Sequence, residues 1–135
     1  MEMASHYETK TVTAGAGTVT FYDGRNVNSA QITASGTSPP GSTTATKRRG
    51  TTVPANAFSA GCEARPNSVK RYFSVVASPN IGLNVTLRFY HDQLEVNGND
   101  ENNLWIWHCE ALGGTYGWVR EAGTYTRDTS ANWCR

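Results

Sequence analysis

Long hydrophobic runs are absent. No apolar stretch in the 135 residues approaches the ~18 that cross a bilayer, so no transmembrane helix and no membrane insertion are expected. The opening, MEMASHYETK, has no apolar core of a signal peptide. If the domain is secreted, its signal is expected to lie outside this chain or to have been removed. Charge of one sign is absent too. Twelve basic against eleven acidic residues leave +1, which gives no global field to recruit nucleic acid or an anionic membrane. There is no Cys-x-x-Cys, which argues against a zinc ribbon or a thioredoxin-like site. There is no Gly-x-Ser-x-Gly elbow and no phosphate-binding loop. His6, His91 and His108 form no His-x-x-x-His or His-Glu-x-x-His pair, so neither a metal nor a general-base role is expected of them. His108 and Cys109 are chain neighbours on a predicted strand and should point to opposite faces, which separates thiol from imidazole. No pattern sustains an amphipathic helix of about ten residues, and no internal repeat is visible.

Thr, Ser, Gly and Asn fill the space left by a hydrophobic content of 38% and a charged content of 17%. Thirteen Gly and five Pro supply turns, and Thr, Val and Tyr favour strands. Residues 7–14, 18–22 and 27–34 read as strands, with Asp23-Gly24 as a turn dipeptide between the last two. Residues 35–53, rich in Ser, Thr and Pro and carrying the basic Lys47-Arg48-Arg49, read as a long surface loop. No aromatic residues are interleaved there, so a nucleic-acid patch is not expected.

The second half is more regular. VKRYFSVV from Val69 reads as a strand. In 82–90, Leu83, Val85, Leu87 and Phe89 share one face, while Asn84, Thr86, Arg88 and Tyr90 share the other. That is period two over four pairs, the mark of a half-buried antiparallel strand. Residues 91–103 form a polar connection with a helical turn expected around Asp92–Val96. Residues 104–110 form a strand, Gly113-Gly114 turns the chain into Tyr116–Arg120, and Gly123–Arg127 is expected to continue that strand. A last strand begins at Trp133 and Cys134 and is expected to be incomplete, leaving an edge to be covered by a continuation or by another chain.

Cys62, Cys109 and Cys134 allow three single-disulfide pairings. Cys109 with Cys134 is the favoured one, both lying on predicted strands near the C-terminus, with Cys62 left unpaired; three reduced, half-buried thiols are the competing reading. Asn97, Asn99, Asp100 and Glu101 form an oxygen-rich loop around Gly98, and Asp92 and Glu95 could add ligands, so Ca²⁺ is a candidate there; no other cofactor is expected. The order does not fit an EF-hand, and solvated capping of the turn is the competing reading. Trp105, Trp107, Tyr116, Trp118 and Tyr125 lie on adjacent predicted strands. If exposed, they make a platform for sugar rings, with Arg120, Glu121 and Asn103 as polar neighbours. If covered, they are core or interface residues. Asn84-Val85-Thr86 fits a glycosylation sequon. Lys10 invites a Lys–Asn isopeptide crosslink if a buried acid lies beside it.

The stretches VKRYFSV, NVTLRFYHDQLEVNGNDENNLWIW and GWVREAGTYTRDTSANW together resemble a β-sandwich module repeated in large bacterial surface and secreted proteins. Such modules run as an R-Y-[FW] strand, a T-L-x-[FL]-x-Y strand, an E-x-N-G-x-[DN]-E-x-N-L connection and a Gly-Trp hairpin. The resemblance covers residues 69–135 well and 7–34 loosely. A further segment with a closing strand normally follows in such modules, and this sequence lacks it. The resemblance implies a non-catalytic extracellular module of Ig-like or jelly-roll type.

The expectation is therefore an all-β, two-sheet antiparallel sandwich, Ig-like or jelly-roll, as a single domain over 1–135 with its last strand missing. The expected function is that of a non-enzymatic structural module outside the cell or at a bacterial cell surface. It would be a building block of a surface protein, or of a fibre in which strands are added between subunits. Its partners would be copies of itself or neighbouring modules, meeting through sheet edges, with the first ten residues as the donor strand. The alternative is a carbohydrate-binding module whose partner is a polysaccharide held on the Trp/Tyr face.

Overall fold

A computed structural model describes residues 5–13, 17–22, 28–35, 39–78, 84–123 and 125–135. The chain is mostly strands in antiparallel sheets with almost no helix, as the all-β expectation requires. It divides into two compact units, Met1–Arg48 with Phe73–Tyr90, and Arg49–Tyr72 with His91–Arg135.

The first unit is a small sandwich. Its strands are β1 (Ser5–Val12), β2 (Thr18–Tyr22), β3 (Asn28–Ala34), β4 (Gly41–Arg49), β5 (Arg71–Ser78) and β6 (Val85–Tyr90), of which the terminal residues Arg49, Arg71 and Tyr72 belong to the second unit. One sheet runs β1-β4-β5 and the other contains β2-β3-β6 in that order. Alternation sets which side chains face inward. Val12, Phe21, Ala30, Ile32, Ala34 and Ala45 are buried, with Val19, Phe73, Val75, Val85, Leu87 and Phe89 packed against them. Phe73 from one sheet stacks on Phe89 from the other at 4.5 Å between ring centroids. Fully burying a side chain such as Phe21 or Ile32 stabilises by roughly 1.5–3 kcal/mol, so this layer holds the unit together. The period-two reading of β6 is correct over Asn84–Tyr90: Val85, Leu87 and Phe89 turn inward, while Arg88 and Tyr90 meet Gln31 on the outer face. Leu83 lies outside the described residues, as does the Asp23-Gly24 turn.

The expected loop over 35–53 is overturned. Residues 41–49 form β4, which sits between β1 and β5 and pairs with β1 from Ser5↔Arg48 to Val12↔Gly41. Thr43, Ala45 and Lys47 are its inward, buried positions. Two small residues and a lysine stem do the packing that Val or Ile does elsewhere, which hides the strand from a hydrophobicity pattern. Residues 36–38 of that expected loop lie outside the described residues. The same pairing involves most of the residues expected to serve as a donor strand. Ser5–Val12 are built into their own sheet along the whole of β1.

The second unit has a hairpin, β7 (Trp107–Ala111) with β8 (Tyr116–Arg120), and a short pair, β9 (Arg127–Asp128) with β10 (Trp133–Cys134). The Gly113-Gly114 turn is as expected. Both glycines have positive φ, 64° and 104°, and Leu112 N–H donates to Thr115 O across the turn at 2.6 Å. Among the described residues of 123–127 the expected continuation of that strand is not formed; β9 starts at Arg127, and Thr126 beside it exchanges backbone hydrogen bonds with Arg135 at 3.0 and 2.9 Å. The expected helical turn is a single 3₁₀ turn over Gln93–Glu95, with Asp92 and Glu95 forming a capping box. Glu95 is 2% exposed and its carboxylate takes four donors. They are Arg71 Nε at 2.7 Å, Arg71 Nη2 at 3.2 Å, Arg49 Nε at 2.9 Å and Asp92 N–H at 2.9 Å. Arg49, the last residue of the expected basic tip, is thereby a structural clasp.

Candidate functional site

The β7–β8 hairpin decides where the aromatic residues go. Its register places Trp107 opposite Arg120, Cys109 opposite Trp118 and Ala111 opposite Tyr116. Side chains alternate along each strand and directly opposed residues share a face. One face therefore carries Trp107, Cys109, Tyr116, Trp118 and Arg120, and the other carries His108, Glu110 and Val119.

The aromatic face is partly roofed. Cys109 is joined to Cys62, so a disulfide ties the segment around Cys62 onto this face. Trp118 Nε1–H donates to Glu63 O at 2.9 Å. A Cβ built on Gly61 would lie 2.9 Å from the Tyr116 ring, so the Gly61 backbone passes close over it. Tyr116 and Trp118 thus serve to hold that segment, and the open aromatic surface is narrower than the five residues expected. It consists of Trp105, Trp107 and the outer part of Tyr116, 43%, 51% and 55% exposed.

Trp105 precedes the hairpin and is held from the backbone outward. Arg127 Nε donates to Leu104 O at 2.6 Å, and Tyr125 O–H lies 3.1 Å from Ile106 O and 2.7 Å from Glu121 O. The Tyr125 ring meets Trp105 edge-on at 4.8 Å, so Tyr125 supports the surface from below rather than forming part of it. Burial pushes the Tyr125 phenol up from its ordinary pKa. Two guanidiniums lie over the indole, Arg120 at 4.4 Å and Arg127 at 4.7 Å from the ring centroid. Arg120 was legible as a polar neighbour. Arg127 was not, because it lies 22 positions from Trp105 in the chain, and its place in the β9–β10 pair is not visible in the sequence pattern.

The cysteine assignment is corrected. Cys62 pairs with Cys109 at a Cα–Cα distance of 6.0 Å, and Cys134 is free and buried. Cys134 stands opposite Arg127 in the β9–β10 ladder, and its thiol lies 3.7 Å from Leu104 O. Cys109 instead faces the segment that carries Cys62. Shared strand character does not bring two thiols within bonding reach. Burial raises the Cys134 thiol pKa, and Arg127 opposes that only in part.

The oxygen-rich loop is a set of turn fasteners. Asn97 Nδ2 donates to Pro66 O and Ser68 O, and Asn99 Nδ2 donates to Asn67 O and Val96 O. Asp100 accepts from Asn102 N–H and from the amides of Asn102 and Asn103, which lowers its carboxyl pKa. Glu101 accepts from His91 at 2.9 Å and from Gln93 at 3.0 Å, and the His91 bond is the main reason its carboxyl titrates below the usual range. Among the described residues, no group of three or more His, Cys, Asp or Glu is disposed to hold a metal ion. Asn103, expected beside the tryptophans, is turned instead to Asp100.

His108 and Cys109 do diverge. His108 sits between two carboxylates, Nε2 at 2.8 Å from Glu110 and Nδ1 at 2.6 Å from Glu121. Lys10 Nζ lies 3.2 Å from Glu8, donates to Thr20 O at 2.6 Å and stands over the Tyr22 ring. Asn84 is exposed beside the start of β6. Among the described residues, no helix is long and apolar enough to cross a membrane. The Cys62–Cys109 disulfide is compatible with an oxidising, extracellular location.

No protein-family model, no curated protein and no solved structure matches the chain.

Proposed function

We propose that this chain is a non-enzymatic structural module of a bacterial surface or secreted protein. The observation that carries the reading is the Cys62–Cys109 disulfide fastening an irregular segment onto a strand hairpin. Small strand domains in oxidising surroundings are stapled in this way when their apolar core is modest. The polar side chains support the same reading, since Glu95, Asp92 and Asp100 work as clasps and caps. With β1 paired along its length, the spacer version is favoured over strand exchange between subunits. Its neighbours are then adjoining modules of a longer protein. Light scattering followed by electron microscopy at neutral pH tests this: a folded monomer is expected. Filaments would overturn the spacer version in favour of strand addition. Turnover on a panel of esters and glycosides would overturn the non-enzymatic reading.

A second reading, a module that also binds carbohydrate, is favoured by one observation: Trp105 and Trp107 are both substantially exposed on the same unit. Exposed indoles offer flat apolar surface to the C–H faces of sugar rings.

A further inference from the structure

We infer that Trp105, Trp107 and Arg120 form a binding surface for an acidic polysaccharide whose sugars carry carboxylates. The inference rests on the carbohydrate reading and adds the charge of the ligand.

The argument starts from Arg120. It is directly opposite Trp107 in the hairpin register, and its guanidinium lies over the Trp105 ring at 4.4 Å. It is exposed. Among the described residues, no carboxylate lies within ion-pair distance of Arg120 or Arg127. This contrasts with Arg49 and Arg71, which both grip Glu95. The nearest acid in the chain, Glu121, is engaged with His108. Stacking on an indole fixes the guanidinium plane while leaving its N–H edge available to an acceptor. That edge matches a carboxylate bidentately. Arg127 is not available in this way. Its Nε is bound to Leu104 O and its guanidinium lies over both Trp105 and Tyr125, so it positions Trp105 rather than reaching a ligand.

The surface therefore offers an open indole at Trp107 beside an anchored cation with no acid of its own. A neutral sugar would use the indole but offer the guanidinium only single, uncharged hydroxyl acceptors. A simple polyanion such as polyglutamate would use the cation and offer the indole no flat apolar ring face. A uronate uses both: its ring face lies on Trp107 and its carboxylate meets Arg120. The chain's net charge of +1 means that such binding is local to this face and not a general attraction to polyanions.

The test is a titration of the whole chain, followed by tryptophan fluorescence, with oligogalacturonate, with its methyl ester and with polyglutamate. Saturable binding of the oligogalacturonate is expected. The methyl ester should bind about tenfold more weakly or worse, and Arg120→Gln and Trp107→Ala should each weaken the acid form by a similar factor. Both positions are exposed, and an unchanged circular dichroism spectrum shows that each variant is folded. Arg120→Lys should recover only part of the loss, because it keeps the charge and loses the fork. Equal affinity for the ester and the acid, with loss in Trp107→Ala, would overturn the inference and leave the carbohydrate reading standing. Binding of neither saccharide would overturn both. Polyglutamate binding as tight as oligogalacturonate binding would also overturn the inference, since it would reduce the site to bare electrostatics.

Discussion

Arg71 and Glu95 are 24 residues apart in the chain and meet in a two-point ion pair, Nε to Oε2 at 2.7 Å and Nη2 to Oε1 at 3.2 Å. Both side chains are nearly dry, at 4% and 3% exposure. Such a pair is worth little against a well-packed apolar replacement, yet removing one partner strands a charge in a low dielectric. Glu95→Ala is therefore expected to cost about 3–5 kcal/mol of stability, measured by urea unfolding. Part of that comes from losing the cap on Asp92 N–H. The double variant Glu95→Leu with Arg71→Met should recover a substantial part. A loss below about 1 kcal/mol in Glu95→Ala would show that the site is wet, as surface pairs are.

The disulfide gives a prediction of covalent connectivity. Peptide mapping under non-reducing conditions should show Cys62 joined to Cys109, with Cys134 as the only thiol. Recovery of a Cys109–Cys134 peptide would refute the pairing. Reduction, or Cys62→Ser with Cys109→Ser, is expected to lower stability by about 2–4 kcal/mol, because the bridge closes a span of 47 residues. Cys134 should resist alkylation at neutral pH until denaturant is added. It is buried, and that burial raises its pKa and keeps it as the less reactive thiol.

How far the sequence was legible follows from what each element uses to pack. β6 was readable because Val85, Leu87 and Phe89 are large, apolar and two apart. The turn over Gln93–Glu95 was readable because Asp92 and Glu95 are spaced as a capping box. β4 was not, because its inward residues are Thr43, Ala45 and Lys47, and the pair Pro39-Pro40 before it signals a turn. The exposure of Trp105 and Trp107 could not be read either. Period two assigns residues to faces but does not say which face is roofed, and here the roof is set by Gly61, Cys62 and Glu63. The carboxylates of the 91–103 connection were visible as a cluster. Their use as caps depends on which backbone N–H groups the turns leave free.

Glu101 makes stability depend on acid. Its pKa is lowered in the folded chain by the hydrogen bond from His91, then by that from Gln93. A depressed folded pKa means that the unfolded chain takes up the proton first as pH falls. The stabilisation is fully present above the ordinary glutamate value of about 4.3 and disappears as pH drops through the lower folded value. Unfolding midpoints between neutral pH and about pH 3 should fall in the native chain. The fall should be shallower in Glu101→Gln, which cannot ionise. Parallel curves for the two proteins would show that the His91 contact does not persist in solution.

Gly61 is the residue on which the roof over the aromatic face turns. Its φ is +86°, a conformation that L side chains adopt at a cost, and an added Cβ would lie 2.9 Å from Tyr116 Cδ2 and 3.1 Å from Cγ. Its N–H donates to Asn56 Oδ1 at 2.8 Å, and the next residue enters the disulfide, so the backbone there is constrained on both sides. Gly61→Ala thus carries two separable penalties, the left-handed backbone at about 1–2 kcal/mol and the contact with the ring. Gly113, at φ +64° with open space around it, carries only the first and serves as the reference. Unfolding free energies should therefore rank Gly61→Ala as more costly than Gly113→Ala. The excess should vanish when Gly61→Ala is made in a Tyr116→Ala background, since the ring it meets is gone. If the excess persists there, the close approach is not what restricts position 61, and the segment is held over the hairpin by the disulfide and the Trp118–Glu63 hydrogen bond alone.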